Sequence, residues 1–153
     1  MTWPVNIGRN DMDLTTAARV AQVYREIEAL CLVLERPVDE LTDQLGRLRA
    51  KADENGVNDA AADLDRMCAA STRLQALTAA LIGAPQPAAQ DALAWLAAHA
   101  HLRHDLRTPL NAVKGYGELL MEDWQESGAS SLMPDLRQVI ATANQLLSMI
   151  DDH

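Results

Sequence analysis

A chain of 153 residues has room for one domain with a real core, or for two small helical units. It is 48% hydrophobic but only 3% aromatic, with no Phe, so its core must be assembled from Ala, Leu, Val, Ile and Met, a composition that suits helices packed on helices. With 22 acidic against 13 basic residues and a formal net charge of −9, it lacks the basic balance that nucleic-acid binding requires, and no apolar run approaches the roughly 18 residues of a membrane span.

Residues 1–12 form a polar N-terminal segment without the apolar stretch of a secretory signal. Cys31 and Cys68 sit at apolar helical positions far apart in sequence, which suits buried, reduced thiols. Both features lead us to expect a cytoplasmic protein. The first helix begins near Asp13 and carries Val20, Val23, Ile27, Leu30 and Leu34 at spacings of three and four. It meets Pro37, resumes with Val38, Leu41, Leu45 and Leu48, and ends at Asn55-Gly56, either as one kinked helix or as two short ones. A second helix runs from about Asn58 to Ile82 and stops at Gly83, which completes an N-terminal hairpin over residues 13–83. The Pro-rich stretch that follows supplies a short linker, residues 84–87. From residue 88 a third helix runs through Leu96, Leu102, Leu106, Leu110, Val113 and Leu120 to Ser127-Gly128, with a proline kink at Pro109. The fourth starts around Ser131, with Pro134 in its first turn, and closes a second hairpin over residues 88–153. The expected fold is all-α: antiparallel hairpins in a four-helix bundle, with two long helices kinked at Pro37 and Pro109.

The chain also resembles itself at an offset of 72 residues. Without a gap, Leu34 falls on Leu106, Pro37 on Pro109, Gly56 on Gly128, Leu64 on Leu136 and Leu74 on Leu146. Any two Leu- and Ala-rich hairpins can be slid into partial register. A coincident mid-helix proline and turn glycine are harder to obtain that way.

The third helix carries the segment HDLRTPLNAVKGYGELL, which begins at His104. At 100° per residue His104 lies away from the stripe of Leu102, Leu106, Leu110 and Val113, so its imidazole should face solvent. Thr108 follows one turn later on the same face, with Arg107 to one side and Asn111 beyond. A neutral exposed imidazole can act as a nucleophile, and a carboxylate beside it, Asp105, can fix its tautomer and raise its basicity. Arg103, Arg107 and Lys114 could offset phosphate charge. A helix-interior proline costs ~3 kcal/mol, and a weak point below the histidine gives the helix a place to change shape.

These residues resemble the H-box of the HisKA-type dimerisation and histidine-phosphotransfer domain of sensor histidine kinases. DLRQVIATANQLLSMIDD is similar to that family's second hairpin helix, so the resemblance covers about residues 88 to 152. It implies that His104 is phosphorylated on Nε2, with Asp105 as base or tautomer holder. It further implies that Thr108 orients the water that dephosphorylates a partner response regulator. The module would serve two-component signalling and exchange phosphate with a receiver domain. It is expected to form a homodimer, with pairing inside one chain as the alternative. No cofactor is expected in this chain itself: it contains no glycine-rich nucleotide box, so ATP and Mg are expected on a separate catalytic domain, in cis or in trans. At the repeat positions of His104, Asp105 and Thr108 the first hairpin carries Leu32, Val33 and Arg36, a copy without the chemistry.

Other readings stay open. The bundle could be an inert dimerisation or docking scaffold, or a regulatory module ahead of a different output such as a nucleotide cyclase or receiver. His101 and His104 share one helix face but lack a third ligand, so no metal is expected. A hydrolase using Ser130 or Ser131 is disfavoured because those serines lie at the far end of the helix from His104.

Overall fold

The computed structural model describes residues 3–152, with side chains described for residues 15–129 and 131–152. Five α-helices follow one another: α1 (Trp3–Glu54), α2 (Ala61–Leu81), α3 (Ala92–His99), α4 (Leu102–Ser127) and α5 (Met133–Asp152). Short 3-10 turns at Ala89–Asp91 and Ser130–Leu132 lead into α3 and α5. No strand occurs among the described residues.

α1 starts at Trp3, well before Asp13, and continues without a break through Pro37. Pro4 falls in its first turn, where the missing N–H has no helical acceptor to lose. At Pro37 the loss is confined to one hydrogen bond, from position 37 to the carbonyl of Val33, and the packed turns on either side carry the helix across.

The four long helices close a bundle in which α1 lies beside α2 and α5, and α4 lies beside the same two. Each contributes one apolar stripe to a common core that includes Leu34, Leu41, Leu64, Leu106, Leu110 and Leu136, all fully buried. Cys31 is buried as well, and Cys68 is partly buried; neither is bonded to the other. Both hairpin turns use a glycine in the left-handed region, Gly56 at φ 69° and Gly128 at φ 83°. There a side chain would meet the backbone, and a Cβ-free residue does not. Polar ties reinforce the apolar seams: Thr42 and Ser71 share a hydroxyl hydrogen bond at 2.7 Å between α1 and α2, and Lys51 on α1 pairs with Asp135 on α5 at 2.8 Å.

One expected helix is two. The chain leaves helical geometry at His101 (φ −110°, ψ 17°), so α3 ends before the histidine-bearing helix begins. The break turns α3 onto α1, where Leu96 faces Val23 and Ile27 across a cavity.

Candidate functional site

His104 occupies the first turn of α4, where Asp105 N–H makes the first helical bond to the carbonyl of His101 at 2.9 Å. Leu102, Leu106, Pro109 and Leu110 point inward and are buried, which turns His104, Asp105 and Thr108 outward. All three are exposed, on one open stretch of helix surface. The Thr108 hydroxyl donates to the carbonyl of His104 at 3.0 Å, which locks its rotamer and leaves its oxygen lone pairs toward solvent.

α4 runs through Pro109 without a break in its helical assignment, and the proline ring is buried in the core. Lacking an N–H, Pro109 leaves the carbonyl of Asp105 without its helical donor. The defect therefore lies one turn past His104, directly under the polar face.

The cations that the sequence places near the histidine have other partners. Arg103 donates to the backbone carbonyl of Ile150 at 2.6 Å, and Arg107 Nε donates to Asp151 at 2.9 Å. Both arginines reach across to the last turn of α5, where unpaired carbonyls and the negative end of the helix dipole attract positive charge. Lys114 lies ten residues beyond His104, about 15 Å along the axis, and Asn111 sits exposed between them. The structure thus brings together His104, Asp105 and Thr108, and it does not gather Arg103, Arg107 and Lys114 around the ring. That end-capping role was hidden in the sequence because it depends on where α5 terminates.

Asp105 makes no hydrogen bond with the imidazole. Consecutive helix positions diverge by about 100°, so the carboxylate reaches the ring only after a side-chain rotation. His99, by contrast, is engaged: its Nδ1 lies 2.8 Å from the carbonyl of Trp95, and its ring stacks on the indole at 4.5 Å. A cavity of about 220 Å³ opens beside this end of the bundle, between α1 and the α3–α4 corner, and His104 does not line it. The candidate nucleophile therefore stands on an open convex surface rather than in a pocket.

Residues 97–153 match the family model of the His Kinase A (phospho-acceptor) domain, a match that takes in α4 and α5 whole. Neither the curated proteins nor the solved structures contain a match to the chain. No described helix is long and apolar enough to cross a membrane.

Proposed function

Taking residues 97–153 as the phospho-acceptor and dimerisation module of a histidine kinase, we propose that His104 accepts a phosphoryl group and passes it to the receiver domain of a response regulator. The supporting observation is the exposure of His104 with Asp105 and Thr108 on one open face of α4. A nucleophile on a convex surface is reached by a donor protein that brings its own active site, whereas a small substrate would find no walls to hold it. Nucleotide and metal would be held by such a catalytic domain, because the H-box face offers neither a glycine-rich loop nor an enclosed site.

In the first step the Nε2 lone pair of neutral His104 attacks the γ-phosphorus of ATP. The N–P bond forms, the P–O bond to ADP breaks, and the proton on Nδ1 passes to Asp105 once the carboxylate has rotated to the ring. In the second, a receiver carboxylate attacks the phosphorus, the N–P bond breaks, and the imidazole takes a proton back. Thr108, its hydroxyl proton committed to the His104 carbonyl, offers lone pairs that can hold a water for the opposing reaction, in which that water attacks the phosphorus of the phosphorylated receiver, the bond to the receiver carboxylate breaks and inorganic phosphate leaves.

The test supplies the full chain with a histidine-kinase ATP-binding domain and γ-labelled ATP, or with a phosphorylated receiver. Acid-labile, alkali-stable label should appear on the chain and vanish in His104→Gln. Label that persists in that variant would reject the assignment, and a stable complex without label would favour the scaffold reading.

A further inference from the structure

The offset of 72 residues becomes a three-dimensional relation. Buried positions of the first hairpin fall on buried positions of the second, as with Leu34 and Leu106 or Leu64 and Leu136. The agreement extends to sites where the residue types differ: Ser71 with Ala143 and Thr78 with Ile150 are buried pairs. It extends to exposure too. Leu32 is 51% exposed and Val33 39% exposed, at the positions that correspond to His104 and Asp105. A polar-versus-apolar pattern alone would place Leu32 and Val33 inside and Ser71 outside, so the shared element geometry, and not residue type, sets these positions.

The helix order has the same regularity. Exchanging α1 for α4 and α2 for α5 turns the α2–α4 contact into the α5–α1 contact and each hairpin contact into the other, which is the pattern of a two-fold axis.

We infer that residues 15–81 are a degenerate copy of the phospho-acceptor hairpin, which occupies within one chain the place a second subunit takes in the dimeric domains of this family, so that the particle is a monomer with one reactive face. The inference stands on packing and does not depend on the chemistry of His104. The seam a second copy would need is already covered: Leu106, Leu110, Val113 and Val139 have no exposed surface within the single chain. The large hydrophobic residues exposed among those described are Leu32, Val33, Leu93 and Leu119, spread over three helices. They do not make the contiguous patch of a stable interface, which buries on the order of 800 Å² per partner. The first hairpin has kept the mid-helix proline and the turn glycine of the phospho-acceptor hairpin, and it has a leucine where the nucleophile stands.

The Lys51–Asp135 ion pair, which joins the two hairpins, makes this testable. Light and heavy-nitrogen chains are mixed, unfolded and refolded together, then treated with a carbodiimide, which condenses a contacting amine and carboxylate into an amide with loss of water. Peptides joined through Lys51 and Asp135 should be wholly light or wholly heavy, and sedimentation equilibrium of the untreated chain should give 16.7 kDa. Mixed light–heavy peptides at about half of the total, the statistical share for exchange between two copies, would overturn the inference. So would a particle of twice the mass, or no coupling between these two residues.

Discussion

At the scale of the residue, what separates His104 from its neighbours is its surroundings. His99 is stacked and hydrogen-bonded by Trp95, and its ring is held against the protein, whereas His104 is exposed on the surface of α4. Thr108 provides the sharpest local check on the proposed chemistry. Thr108→Ala removes a hydroxyl that bonds only a carbonyl of its own helix, so stability should change by no more than about 0.5 kcal/mol. Labelling of His104 should persist. Removal of phosphate from a partner receiver should slow on the order of tenfold to a hundredfold, the range for loss of a positioned reactant; an unchanged rate would take Thr108 out of the mechanism. A second residue-scale effect belongs to Cys31, whose thiol burial pushes up to about 11 from 9.0. Between those values the unfolded thiol ionises and the folded one does not, so its contribution is intact below pH 9 and is lost as the pH rises toward 11. The loss is on the order of 2 kcal/mol. Urea midpoints should fall more steeply over that window for the wild type than for Cys31→Ala, and parallel slopes would contradict it.

At the scale of the element, two prolines and one glycine set the character of the long helices. Pro37 and Pro109 each deprive a carbonyl one turn earlier of its donor, so alanine at either position should recover part of the ~3 kcal/mol that an interior proline costs. Pro109→Ala gives some of that back by leaving space where a buried ring was, and Pro37, half-buried, loses less. We expect both variants to be stabilised by roughly 1–2 kcal/mol in chemical denaturation, with Pro37→Ala the larger gain; destabilisation of both would mean that packing of the proline rings outweighs the hydrogen bonds they forgo. Gly117 works in the opposite sense. A Cβ there would lie 2.9 Å from Ile140 Cγ1, and Met67 stands close behind. The corresponding residue of the first hairpin, Leu45, is fully buried, so one α4 position has traded a side chain for close approach of α5. Gly117→Leu should therefore cost about 1–3 kcal/mol through overpacking, even though leucine is the better helix former. These elements also show what could be seen without coordinates. The stripes, the turn glycines and the four long helices were legible because periodicity and left-handed glycine are local signals. The break at Ala100–His101 was not, since no glycine, proline or capping side chain marks it and only α1 gives α3 a reason to turn. Likewise, the contacts of Arg103 and Arg107 with the last turn of α5 were not legible, because nothing local to α4 reveals that α5 ends beside them.

At the scale of the whole molecule, the decisive property is that neither hairpin owns a complete core. Leu64 on α2 and Leu136 on α5 are both fully buried, each in a stripe that meets helices of the other hairpin as well as its own partner. A two-helix hairpin would leave half of such a stripe in water, so the halves should not persist independently, and the bundle should unfold as one unit. Leu64→Ala and Leu136→Ala test this from opposite sides of the pseudo-two-fold. Each removes buried methyl groups at a site with no solvent access and should cost about 2–5 kcal/mol. The two losses should shift the same single transition, detected both by far-ultraviolet circular dichroism and, in a background carrying Trp3→Phe and Trp95→Phe, by fluorescence of Trp124, which is buried in the second hairpin. If Leu64→Ala instead melted helix in a separate early step while the Trp124 signal held, the first hairpin would be an appended segment rather than half of the fold, and the second would need a partner of its own to complete its core.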